Sequence, residues 1–366
     1  MKWTTGPPIA APRICAQDRT WVVSFATSED AEMTRGAMRM ARLTLDGEVS
    51  ATSNLGAFDT RFEGLSSSCD PREREFATLV ARTRSNHAAS EWALELFTAD
   101  GETLAPLSRE WLHSGGERGM ADPRLARLPD GELHASWLSM GAASGPELLA
   151  VVRGRRVSLD RPGRRWLFRR SEAKVSNGGS VGLAWVRSLR DEDGDLVATQ
   201  VVASRIGTSG ALDTRVLESG TPASGYSRAP VVAWRGEELV VAWGRPSHPR
   251  GQVRLARWAA GRDPTTPRSL DEVGAPLAMI ASPRGNLLLV VSAAGGASLW
   301  NVDRSLRAHQ TYRSSVRGLG DQMHGAWGSD RWGLTWRESN GALFWAVGAH
   351  GRPLAEPRVI AFADGH

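Results

Sequence analysis

The hydrophobic pattern of the chain is dominated by one form. It is clearest at Ala229-Pro230-Val231-Val232-Ala233-Trp234, a turn at Arg235-Gly236, and Leu239-Val240-Val241-Ala242-Trp243. Weaker copies of the second run occur at Trp21–Phe25, Phe76–Val80, Leu133–Trp137, Val181–Trp185, Leu287–Val291 and Trp332–Trp336. The runs recur roughly every fifty residues, the mark of an internally repeated architecture. Each is short and apolar at consecutive positions, so each predicts a strand covered on both faces.

The polar positions between the runs have their own phase. After each run and a loop, a further strand such as Met38–Leu43 is followed by a tight turn at Asp46-Gly47, Asp100-Gly101, Pro162-Gly163, Ser209-Gly210, Ala260-Gly261 and His350-Gly351, with Asp303-Arg304-Ser305 in the sixth unit. Glycine supplies the positive φ that a short hairpin needs. Another set of turns precedes the runs at Pro129-Asp130-Gly131, Asn177-Gly178-Gly179, Arg235-Gly236 and Arg284-Gly285. A clean helical stripe is absent, and 39 Gly and 19 Pro punctuate the chain too often for helices. Four short antiparallel strands per unit, in seven units, describe an all-β, seven-bladed β-propeller of four-stranded antiparallel blades.

The expected blades are 11–56, 57–114, 115–170, 171–220, 221–271, 272–317 and 318–366, one domain over 1–366. The ring closes either end to end on the last blade's own fourth strand, Pro357–Phe362, or by a clasp strand from residues 1–10. Cys15 and Cys69 occupy equivalent points before their blades' second strands, as either a disulfide or two buried thiols. Most of the 15 Trp fall at repeat positions, where packing between blades is the expectation.

Units of the form Val-Ala-Trp-x-Gly-x-x-x-Leu-Val-Val-x-Trp with an Asp-Gly hairpin resemble the propeller repeats of exported bacterial proteins. The match is close at Val232–Trp243 and looser in the other units. The resemblance implies a propeller and export to the periplasm, the surface or the medium, with a cytoplasmic location as the alternative. Met1–Thr5 lacks the apolar core of a signal peptide. The build is also distantly sialidase-like. Ser158–Trp166 approximates that family's Asp-box, expected at the hairpin between third and fourth strands. Sialidase chemistry needs a Tyr nucleophile beside an acid, however, and Tyr226 and Tyr312 are the only tyrosines.

Asp191, Asp193 and Asp195 alternate as in calcium loops and are the candidate metal ligands, for calcium. Against this, Leu196 stands where such loops have Gly and Val202 where they have Glu. No other cofactor is indicated. Gly225–Ala229 mimics a serine-hydrolase elbow, but a strand follows where that elbow needs a helix. His134 lies inside a second strand and reads as a satisfied core residue.

Formal charge is +5 and the sequence pI about 9.9. Lys2 and Lys174 are the only lysines among 45 basic residues. That skew points to codon usage, and with acidic residues interspersed no nucleic-acid partner is expected. The longest apolar runs are too short to span a bilayer. Propellers bind where blade-connecting loops enter the first strands, a placement by fold analogy. Arg13, Asp122, Arg124, Tyr226, Arg228, Asp321 and His324 are the candidate ligand-binding residues there. An Arg-rich rim of this kind suits an anionic or glycan ligand or an acidic protein surface. The expected function is a monomeric, non-catalytic binding or scaffold propeller, with a glycan-active enzyme using the same funnel as the alternative.

Overall fold

In the computed structural model the described residues form thirty strands and no helix. These residues are 4–5, 10–28, 35–59, 62–70, 75–86, 89–114, 119–142, 145–163, 166–220, 229–245, 252–293, 296–315, 323–338 and 341–363. The strands make seven antiparallel meanders in chain order. Blade 1 is Arg13–Gln17, Thr20–Ser28, Gly36–Leu43 and Val49–Phe58. Blade 2 is Phe62–Asp70, Glu75–Asn86, Ala89–Asp100 and Pro106–Ser114. Blade 3 is Met120–Arg127, Leu133–Ala142, Gly145–Val152 and Arg155–Asp160. Blade 4 has a first strand in two pieces, Trp166–Arg170 and Lys174–Val175, then Val181–Arg190, Leu196–Ile206 and Leu212–Gly220. Blade 5 is Val231–Arg235, Glu238–Gly244, Gln252–Trp258 and Arg268–Val273. Blade 6 is Ala275–Ala281, Leu287–Ala293, Gly296–Val302 and Ala308–Ser314. Blade 7 is Met323–Gly328, Arg331–Glu338, Gly341–Gly348 and Arg358–Ala363. The fold is a seven-bladed β-propeller.

The chain divides into two compact units. Unit 1 is Met1–Arg127, Ala135–Gly141 and Gly318–His366; unit 2 is Leu128–His134 and Ala142–Arg317. Within unit 1, the second strand of blade 1 buries both faces, as its unbroken apolar run requires. Trp21, Val23 and Phe25 pack with Phe344 and Ile360 of blade 7. Val22 and Ala26 point the other way, into a cluster with Leu65, Phe76 and Val80 of blade 2. Within unit 2, Leu239, Val241 and Trp243 pack against Ala184, Val186 and Val201 of blade 4. Val240 and Ala242 face Met279, Leu287 and Leu289 of blade 6. A period of two along each strand thus feeds two adjacent seams, and each large side chain withdrawn from water contributes roughly 2–3 kcal/mol.

Two details were open or different in the sequence reading. Thr4 and Thr5 pair in parallel with Phe362 and Ala363, so the N-terminal segment adds a fifth strand to blade 7. In blade 3 the hairpin between third and fourth strands is Arg153–Gly154, not Pro162-Gly163, with Val152 paired to Arg155. Both turn residues have positive φ, 48° and 70°. A proline, fixed near −65°, cannot occupy such a turn. Consequently Trp166–Arg170 pairs with the second strand of blade 4, and blade 4 begins ahead of residue 171. The second piece, Lys174–Val175, lies on the same neighbour. Between the pieces the Ser171 hydroxyl accepts from Ala184 N at 2.9 Å, in place of a backbone partner.

Cys15 is disulfide-bonded, and Cys69 is the only other cysteine in the chain. Cys15 pairs across its hairpin with Val22 and Cys69 with Phe76, at the same offset.

Candidate functional site

The residues that unit 1 brings together lie at the leading ends of first strands. Arg13 opens the first strand of blade 1 and is 5% exposed. Its Nε and Nη2 both donate to Leu65 O of blade 2, at 3.1 and 2.7 Å. Its Nη1 lies 2.6 Å from Nδ1 of His324 on blade 7 and also meets Nε2. A guanidinium has only donors, so the imidazole nitrogen accepts. Arg13 therefore ties the first strands of blades 7, 1 and 2, and His324, itself buried, is held by that contact.

On the far side of the first strand of blade 2 stands a second pair. Arg124 of blade 3 is 3% exposed. Its Nη2 meets Asp122 Oδ1 at 2.5 Å and its Nη1 donates to Pro123 O at 3.0 Å. Alternate residues of a strand share a face, which sets the carboxylate beside the guanidinium. Asp122 adopts φ 55° directly before Pro123, a left-handed conformation that aspartate tolerates better than most side chains. Its side chain keeps 29% exposure, so the pair reaches the surface through the carboxylate. Leu125 N donates to Ser66 Oγ at 2.9 Å, which fixes this strand against blade 2.

Of the seven expected ligand-binding residues, Arg13, His324, Asp122 and Arg124 thus form two pairs flanking one strand. Tyr226, Arg228 and Asp321 lie outside the described residues. Asp191, Asp193 and Asp195 sit in the hairpin between second and third strands of blade 4. There Asp191 Oδ1 accepts from Asp195 N at 2.8 Å, so it serves its own turn. Among the described residues no group of three or more His, Cys, Asp or Glu is arranged to hold a metal ion. Arg82, on the second strand of blade 2, is buried against Glu95, which also takes Arg109, each at 2.5 Å.

Asp160 corrects the Asp-box reading. It ends the fourth strand of blade 3, and Ser158–Trp166 is not a hairpin. Its carboxylate accepts from Trp185 Nε1 at 2.6 Å and Arg187 Nη1 at 2.8 Å. Burial raises its pKa; the charge of Arg187 and the Trp185 hydrogen bond oppose the shift. The same arrangement recurs at the next seam, where Trp243 Nε1 donates to Glu218 Oε2 at 2.6 Å with Arg245 at 3.9 Å. A feature repeated between consecutive blades is a seam latch. The Trp-x-Arg spelling at 185–187 and 243–245 was its sequence signal.

His134 is also corrected. It is fully buried, and neither ring nitrogen makes a hydrogen bond among the described residues. Burial, with a smaller contribution from the charge of Arg170, lowers its pKa to about 4. A perturbed group can flag a site, but this one has no exposed surface for a ligand to reach.

No protein-family model matches the chain, and no curated protein matches it in sequence. Solved structures do resemble it. A prolyl endopeptidase superposes with TM-score 0.57 at 12% identity, over 96% of this chain and 48% of that one. A puromycin hydrolase gives 0.55 at 15%, over 98% and 56%. The chain spans about half the length of these two proteins. A catalytically inactive variant of virginiamycin B lyase from Staphylococcus aureus gives 0.52 at 11%, over 93% and 95%. Among the described residues no helix is long and apolar enough to cross a membrane. At these identities the likeness is one of fold.

Proposed function

We propose that the chain is a binding propeller whose leading-end face takes an anionic or glycan ligand, or the acidic surface of a protein partner. The observation that carries this reading is the pair of nearly buried guanidiniums, Arg13 and Arg124, on strands flanking the first strand of blade 2. Desolvated arginine is suited to planar oxyanion and carboxylate groups. Tyr226, Arg228 and Asp321, which lie outside the described residues, are proposed as further ligand-binding residues from the sequence alone. The reading is non-catalytic because the described acid and imidazole are already engaged. Asp122 is tied to Arg124 and His324 to Arg13, whereas acid–base chemistry needs them directed at a substrate. Export is the proposed location, supported by the disulfide at Cys15, since such bonds persist in oxidising compartments.

A glycan array and a pull-down from the native secretion medium identify the ligand. The double variant Arg228→Ala/His324→Ala is then expected to lose capture of it. Unchanged binding by that variant, with folding intact, would remove these residues from the site. Turnover of a glycan by the wild type would favour the alternative, a glycan-active enzyme on the same face.

A further inference from the structure

Away from that face, a seam of unit 2 carries a cation that its surroundings leave unsatisfied. Arg235 ends the first strand of blade 5, at the Arg235–Gly236 turn, and is 6% exposed. Its stem runs over the first hairpin of blade 6, where a Cβ on Gly285 would touch Arg235 Cγ at 3.5 Å. Its Nη2 donates to Val302 O at 3.1 Å, beside the hairpin between the third and fourth strands of that blade. Nε and Nη1 are buried without a hydrogen-bond partner among the described residues.

Buried guanidinium donors in native proteins are nearly always bonded, and an exception calls for an explanation. The nearby carboxylates do not supply one. Asp303 Oδ1 accepts from Ser305 N, Ser305 Oγ and Arg307 N, all in its own turn. Glu238 Oε2 lies 3.7 Å from Arg257 Nη1. Burial lowers the pKa of Arg235; Glu238 and Asp303 oppose this, while Arg257 and Arg304 add to it. The preceding seam shows what a satisfied arginine looks like in this protein. Arg205 donates to Trp258 O and Glu237 O, at 3.0 and 3.3 Å, and lies over the Trp234 and Trp258 rings.

We propose that Arg235, Arg257 and Arg304 form a binding corner for a small oxyanion of sulfate or phosphate size, with Nε and Nη1 of Arg235 as its buried donors. Arg257 Nη1 donates to Arg304 O at 3.1 Å, which holds the two basic residues at the mouth. Arg304 is exposed and the Arg257 side chain is 38% exposed, so the anion enters between them from solvent. The excess of guanidinium over carboxylate charge at this corner is then neutralised by the ligand.

Thermal unfolding of the purified chain is measured against sodium sulfate and sodium phosphate, with sodium chloride at matched ionic strength. The expected result is a saturable rise in Tm with the two oxyanions and none with chloride. Arg304→Ala, at an exposed turn, is expected to raise the half-saturating concentration about tenfold, in keeping with one lost charge-assisted contact. Arg235→Met, if it folds, is expected to abolish the saturable rise. A rise that is unsaturable and equal in wild type and Arg304→Ala is general salt stabilisation and overturns the proposal. So does the absence of any rise, which would leave water as the partner of Arg235.

Discussion

His134 has the least comfortable surroundings of the described histidines. In the unfolded chain it takes up a proton near pH 6.5; in the fold it does so only near pH 4. Between those values the unfolded state binds more protons, so stability falls as pH falls from 6.5 to 4. At about 1.4 kcal/mol per unit, this single residue removes about 3 kcal/mol across that window. Asp160 acts in the opposite sense, because its raised pKa lets the fold bind a proton before the unfolded chain does. Urea unfolding of His134→Leu at pH 7 and pH 4.5 is expected to show a smaller loss at pH 4.5 than wild type. Equal pH slopes in the two proteins would acquit His134. At the Glu218 latch, Glu218→Ala leaves the Trp243 indole N–H buried without its acceptor and is expected to cost about 1–3 kcal/mol. A double-mutant cycle with Trp243→Phe, read by urea unfolding, should return a coupling of about 1 kcal/mol.

Among the elements, the hairpins separate backbone demands from packing demands. Gly47 and Gly210 both close the turn between third and fourth strands, at φ 85° and 81°. A Cβ on Gly47 would stand 2.4 Å from Phe344 Cδ1, whereas one on Gly210 meets nothing within 4 Å. Gly210→Ala is therefore expected to cost about 1 kcal/mol, the left-handed backbone penalty alone. Gly47→Ala should cost about 2–4 kcal/mol, since a clash with blade 7 is added. Thermal unfolding of both variants tests the difference, and equal losses would mean that Phe344 yields freely. Most such turns were legible because glycine at a set distance from an apolar run marks them locally. The turn of blade 3 was missed because Arg153-Gly154 lacks the usual Asn or Asp, while the more conspicuous Pro162-Gly163 lies nearby.

For the molecule as a whole, much of the basic surplus is spent across seams. Arg42 donates to Glu102 O, Arg205 to Trp258 O and Arg257 to Arg304 O. Arg331 and Arg358 pair with Asp46 and Glu48. These partners sit on or beside the next blade's hairpin between third and fourth strands, so arginine acts here as a strap between repeats. Within unit 1 the disulfide at Cys15 adds a covalent tie. Reduction is expected to lower the stability to unfolding by about 2–4 kcal/mol; denaturation curves with and without reductant measure it, and coincident curves would rule out a stabilising bond.

The amino-acid sequence alone determined the strands, the seven repeats and nearly all the turns. Those features are written in the alternation of side chains and in positive φ within a few residues of each other, where no distant contact can override them. The tertiary structure decided which residues meet: Arg13 with Leu65 and His324, Trp185 with Asp160, and Arg235 with the carbonyl of Val302. It also decided that His134 would have no hydrogen-bond partner among the described residues and that Thr4 and Thr5 would join the last blade. These pairings join segments that lie on different blades. Their geometry is set by how one blade packs on the next, which periodicity within a blade does not encode.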